Sequence, residues 1–277
     1  MSIDRRAFIA SIGGSAVLAT MAPSQKADAL EAYLQKTLNE ATAPAPAGPA
    51  EGPQKYPTVA ELEAQIERAP TRRGVGNLFV ARKGNVHRLA PMPAKPTLID
   101  FFRLRFMATS NHVLQSANRA MKNGMSEEIV LACLLHDVVQ ELIKVDHGWW
   151  GAQLFEPYVP QKTAFAIRYH QALRFYADPA NGYEYPAMYL RIFGEDYKPE
   201  PYIEATYRMV RRHKWYIAPR MVTVNDLYAF DPNVHVDLQQ FTDLIGRRFK
   251  QPKEGLGFDS SPVAHMWRSL MRPDAPL

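Results

Sequence analysis

The chain has 277 residues, 47% of them apolar, enough for a sizeable core. Its 33 Lys and Arg against 28 Asp and Glu give a formal charge of +5, a slight and scattered surplus where a nucleic-acid surface needs clustered cations. A single cysteine, Cys133, excludes an internal disulfide and a cysteine-rich zinc site, and no apolar run of about 20 residues follows the N-terminus, so the mature chain has no membrane span.

The first 29 residues have the order of an export leader. Arg5-Arg6 precede Phe8-Ile9, a weakly apolar run continues to Ala22, and Ala27-Asp28-Ala29 has the small-x-small form of a cleavage site. This resembles a twin-arginine signal. Such signals imply a cargo folded and metal-loaded before export, here to the periplasm by the twin-arginine machinery, with the leader removed near Ala29.

Residues 30–96 form an N-terminal extension. Residues 30–40 have a short helical pattern, 41–54 are a Pro/Ala/Gly linker without apolar period, and Thr58 with Glu61 makes a capping box opening a helix to about Arg68. Glycines and prolines punctuate 71–96, leaving room for one short strand at 77–82. The domain proper is expected over 97–250. Its elements are a helix over 98–122 broken near Ser110-Asn111, a buried helix from Ser126 through IVLACLLHDVVQELI, a helix over 148–158, and another from Pro160 to about Tyr176. Helical patterns return at 201–213 and 235–250, and 251–277 is a tail of low pattern. The expected fold class is all-α.

Four of the eight histidines fall between 112 and 170: His112, His136, His147 and His170. His136-Asp137 lies inside an apolar run, where burying both groups is costly unless they bind something. Helical neighbours point about 100° apart, so one ion cannot easily take both. If the Asp137 carboxylate bridges two ions, His112, His136 and Asp226 serve the first, and His147 and His170 the second. Imidazole and carboxylate donors suit iron, manganese, zinc or nickel. His112, His147 and Asp226 taken singly also fit ordinary surface or capping roles; the ordered set of six is what points to a metal centre. His87, His213, His235 and His265 are expected to be non-ligands, with His213 the best of them as a pocket residue.

The order His, His-Asp, His, His, Asp resembles the HD-domain superfamily, in particular its six-ligand dinuclear branch of oxygenases that cleave inositol or hydroxylated phosphonates. The segments that carry the resemblance are Asn111-His112-Val113-Leu114, the run ending in His136-Asp137, His147-Gly-Trp-Trp-Gly-Ala152, Tyr169-His170-Gln171 and Asn225-Asp226-Leu227. It implies an HD helical core with two irons in a mixed-valent Fe(II)/Fe(III) pair, O2 as co-substrate and a small organic substrate. Mn, Ni and Zn are the alternative metals, and the alternative function is a metal-dependent phosphohydrolase of the wider superfamily, acting on a phosphoester.

The chain departs from those enzymes where they continue His-Asp-x-Gly-Lys or His-Asp-x-Gly-His: here Val139-Gln140 follow. Gln140 in place of a substrate-binding Lys argues against inositol. Arg174, one turn after His170, falls where the phosphonate enzyme carries a substrate-contacting Lys; an anion contact and a surface helix position are both open for it. Trp149, Trp150, Tyr169 and Tyr176 are candidates to line a pocket or to pack the core.

Overall fold

The computed structural model describes residues 5–42, 81–82, 85–86, 90–140, 143, 146–194 and 197–271. The expected helix at 58–68, most of the linker, His87 and much of the expected 77–82 strand lie outside them. The fold is all-α, and the only sheet among the described residues is a hairpin of two-residue strands, β1 (Ala81–Arg82) and β2 (Asn85–Val86).

Three helices come from the expected leader and extension: α1 (Arg5–Ser11), α2 (Ser15–Thr20) and α3 (Pro23–Thr42). The 30–40 pattern is the second half of α3. Phe8 of α1 is fully buried in a small cluster with Leu30, Leu34 and Tyr189. The expected cleavage point therefore lies inside a helix, with Ala27 and Asp28 buried.

The core opens at Thr97. Its side chain accepts from Asp100 N while Asp100 accepts from Thr97 N, a reciprocal cap that starts α4 (Leu98–Leu104). Helix α5 (Met107–Lys122) follows and runs unbroken through Ser110-Asn111. The expected break falls instead at Arg105-Phe106. Buried Arg105 donates to the carbonyls of Leu270 and Met271, at 3.0 and 2.9 Å, so a contact 165 residues away fixes the bend.

Helix α6 (Glu127–Leu135) is apolar on every side, and Ile129 to Leu135 are all buried. It ends one residue before His136, and turns continue to Gln140. Asp146 has a left-handed φ of 54° and turns the chain into α7 (His147–Phe155), whose first residue is His147. Helix α8 (Gln161–Leu173) is the hub of the core, packed on α6 and α7. Two shorter helices, α9 (Ala187–Phe193) and α10 (Pro201–Arg211), lead to α11 (Ile217–Leu227), which the sequence pattern did not reveal. Fully buried Arg220 donates to the carbonyls of Leu173 and Tyr176 and so ties α11 to the end of α8.

The 235–250 pattern resolves into a 3-10 turn at Leu238–Phe241 and α12 (Thr242–Arg248). The segment beyond 250 is not a tail outside the core. Gly255, at φ 93°, sits where a Cβ would lie 2.6 Å from Pro96, and Leu256 N donates to Pro96 O. Helix α13 (Ala264–Met271) then inserts Trp267, fully buried, among Phe101, Phe106, Phe155 and Tyr158. No helix among the described residues is long and apolar enough to cross a membrane.

Candidate metal centre

The six residues expected from sequence converge. His112 comes from α5, His136 and Asp137 from the end of α6, His147 from the start of α7, His170 from α8 and Asp226 from α11. His136 and Asp137 follow directly on α6, His136 still with helical dihedrals, and His136 Nε2 lies 3.4 Å from Asp137 Oδ1. The Thr223 hydroxyl donates to His170 O at 3.0 Å and sets α11 against α8 at the level of the cluster.

Three imidazoles are oriented by backbone carbonyls. Nδ1 of His136 lies 2.8 Å from Cys133 O, that of His170 lies 2.7 Å from Ile167 O, and that of His112 lies 3.2 Å from Ala229 O. Donation from Nδ1 leaves the Nε2 lone pair aimed inward, the tautomer a metal needs. His147 is held differently. Its Nδ1 accepts from the amide of Gln171 at 3.1 Å, so the ring's proton stands on Nε2, 3.1 Å from Asp137 Oδ1, and an ion there would displace it; the same amide donates to Asp28, while Gln171 Oε1 accepts from Gly148 N.

The donor atoms form two groups with Asp137 in both. Asp137 Oδ1 is 3.1 Å from His147 Nε2 and 3.4 Å from His170 Nε2. On the other side, His112 Nε2 is 3.5 Å from Asp137 Oδ2, 3.1 Å from Asp226 Oδ1 and 3.4 Å from His136 Nε2. Two ligands each about 2.1 Å from one ion, at 90–110° to each other, stand roughly 3.0–3.4 Å apart. The spacings match that geometry.

The sequence reading missed Glu31. It belongs to the first group, with His112, His136, Asp137 and Asp226, and its donor atom lies within 4.8 Å of theirs. Asp28, Glu31 and His147 form a third such group. The signal was present in the sequence: Glu31 and Gln35 are one turn apart on the stripe of Leu34 and Leu38, all of them buried. Gln35 Nε2 donates to Asp137 Oδ2 at 3.0 Å.

The donor set fits a metal. Asp137 Oδ1, His170 Nε2 and Glu31 Oε1 are buried with no hydrogen-bond partner, which native interiors rarely leave so. Charge points the same way. Burial, and then the charge of Asp137, hold the Glu31 carboxyl well above the usual range. Burial alone would lower the His112 imidazole, yet hydrogen bonds to Asp137 and Asp226 push it up to about 10. Burial would raise Asp137 too, but His136 and His147 outweigh it and hold the carboxyl well below its ordinary value. Two buried carboxylates, Glu31 and Asp137, and the half-buried Asp226 thus gather positive charge, which metal ions supply on displacing protons.

The substrate candidates fare differently. Arg174 is not a surface residue: it is buried, donating to Glu31 Oε2 at 2.7 Å and to Asp28 Oδ1. Gln140 is buried with neither amide atom paired and does not line the pocket beside the cluster. That pocket, a small cleft, is bounded by Asp226, Glu31, Arg174, Leu30, Leu34 and Tyr189. Trp149 and Trp150 are exposed, Tyr169 packs on Phe165, and Tyr176 stacks on Tyr207; none lines it. His213 stacks on Phe165 and is not a pocket residue either.

Gly148 lets α7 approach α8. A Cβ there would lie 2.8 Å from Ile167 O and 3.1 Å from His170 Cε1. Gly148→Ala is expected to push the two helices apart, displacing His147 and His170 together. Elemental analysis should then find the ion on their side lost and the other kept, with stability lower by about 1–3 kcal/mol. Unchanged metal content would show that this close approach does not set the ligand positions.

No family model matches the chain. It is similar to [1-hydroxy-2-(trimethylamino)ethyl]phosphonate dioxygenase (glycine-betaine-forming) of Leisingera caerulea, 32% identical over 78 residues, or 24% of this chain. The chain spans 40% of that relative's length. The buried donor cluster and this similarity together support a metal-dependent, oxygenase-like enzyme.

Proposed function

We propose that the chain is an HD-type dinuclear oxygenase that uses O2 to oxidise or cleave a small organic substrate. The observation that carries this is the pair of donor groups sharing the Asp137 carboxylate. In this reading His112, His136 and Asp226, with Glu31 beside them, hold the first ion; His147 and His170 hold the second; Asp137 holds both. Two irons in a mixed-valent pair would supply the activation of O2 and the one-electron steps.

The chain's own contribution is position and exclusion of water. The pocket adjoins Asp226, so a substrate seated there meets the first ion's side. Leu30, Leu34 and Tyr189 keep that side apolar, and Arg174 places one buried cation at its wall. A hydroxylated phosphonate, the substrate class in the relative's name, is the first class to test. The leader-like order of residues 1–29 supports export through the twin-arginine route to the periplasm as part of the same proposal.

The test sets O2 uptake against phosphate release. Iron-loaded protein given a panel of small hydroxylated organic anions is expected to consume O2 only when protein and substrate are both present. Aryl-phosphate hydrolysis under nitrogen by the Mn- or Ni-loaded protein, without O2 uptake by the iron form, would establish the phosphohydrolase reading instead.

A further inference from the structure

Helix α3 enters the site from outside the main core. Among the described residues, that core contains no member of 5–42. The helix docks along α5 and through two small clusters, one of Phe8, Leu30, Leu34 and Tyr189 and another that includes Ala27 and Phe175. Its buried face also reaches the pocket. Leu30, Glu31 and Leu34 form one wall. Asp28 and Glu31 together engage the guanidinium of Arg174. Gln35 occupies Asp137 Oδ2, an oxygen of the carboxylate shared by both donor groups.

A buried cation must be paired, and its partner decides what else can bind there. Here both partners are carboxylates carried by a helix that packs along α5 but shares no residue with the main apolar core among the described residues. Their position is that of a small anion lying between Arg174 and the donor cluster. We propose that α3 is an internal competitor for the substrate. Asp28 and Glu31 occupy the place of its anionic group, a carboxylate or phosphonate, and the site opens when α3 withdraws. This rests on the oxygenase reading only for the identity of the substrate. The competition itself is a property of α3 and Arg174. The expected leader cut after Ala29 would separate Asp28 from Glu31 and remove one of Arg174's two partners, so processing and opening would favour each other.

Inorganic phosphate serves as the probe anion, measured by titration calorimetry on the full metal-loaded chain. The competent state of the unaltered chain is a minor one, so its apparent affinity is reduced by the open fraction. A chain bearing Asp28→Asn and Glu31→Gln, shown by elemental analysis to hold as much metal as the unaltered chain, is expected to bind phosphate at least about tenfold more tightly. Phe8→Asp, in α1, unseats α3 without changing either carboxylate, and the same gain is expected. The gain should vanish when Arg174→Met is added. In the unaltered chain, phosphate should speed amide hydrogen exchange in residues 23–42. Unchanged or weaker binding in both variants, or a gain that survives Arg174→Met, overturns the proposal and makes α3 a fixed wall of the site. Failure of the oxygenase reading would show as absent O2 uptake and would leave this comparison intact.

Discussion

Asp137→Ala is expected to strip the purified chain of both metal ions. Its carboxylate reaches histidines of both groups: Oδ1 lies 3.1 Å from His147 Nε2 and 3.4 Å from both His136 Nε2 and His170 Nε2, and Oδ2 lies 3.5 Å from His112 Nε2. Without that carboxylate, His147 and His170 lose the only acidic ligand of their group, and the first group keeps Glu31 and Asp226 but loses its link to the second. Structural metal sites bind with apparent free energies of about 10–16 kcal/mol, so a shared ligand carries a large part of two such energies. Asp226→Ala touches one group only and should release one ion. Elemental analysis after dialysis reads both results, and far-ultraviolet circular dichroism checks that each variant is folded. An Asp137→Ala chain that keeps two ions would show that the carboxylate is not shared.

The second large effect lies far from the site. Trp267→Ala should lower stability by about 3–5 kcal/mol, the range for emptying a large aromatic from a core. The ring is fully buried, with its centroid 4.6 Å from that of Phe101 and 5.7 Å from that of Phe155. For a chain of this size the midpoint of thermal unfolding should fall by roughly 5–9 °C. Phe155 closes α7, the helix that begins at His147, so the same variant should bind the second ion less tightly. A midpoint within about a degree of the unaltered chain's would mean that α13 contributes little packing, contrary to its burial.

The two variants also mark what the sequence could and could not convey. The helices bearing His112, His136 and His170 were legible because their apolar periods are strong and because polar residues inside apolar runs are costly unless used. Asp226 was legible only as part of an order, since its helix α11 contains Pro219, Arg220 and several β-branched residues and has little helical pattern of its own. What makes α11 a core helix is Arg220 reaching the carbonyls at the end of α8, a tertiary contact. The bend at Arg105 has the same kind of cause, because its partners at Leu270 and Met271 belong to the far end of the chain. Trp267 stood in a segment punctuated by Gly255, Gly257 and Pro262, which hid the short helix behind them. Glu31 was hidden for another reason. The leader-like order of residues 1–29 ends inside α3 and splits its pattern, although Glu31 and Gln35 interrupt an otherwise apolar stripe.

Arg174 shows the limit of reasoning by position alone. One turn after His170, it stands where a substrate-contacting cation is expected from the resemblance, and the structure places it in the pocket. There it is paired with Asp28 and Glu31, which no local pattern around residue 174 announces. Gln140 has the opposite character. It is buried, its amide is unpaired, and it stands away from the pocket. Gln140→Ala is therefore expected to leave the metal content unchanged.

Whether two ions share Asp137 can be read from metal content and electron paramagnetic resonance measured together on one partially oxidised sample of the full chain. A shared carboxylate should give two irons per chain and the signal of an antiferromagnetically coupled mixed-valent pair. One ion per chain, or two that show no magnetic coupling, would contradict it.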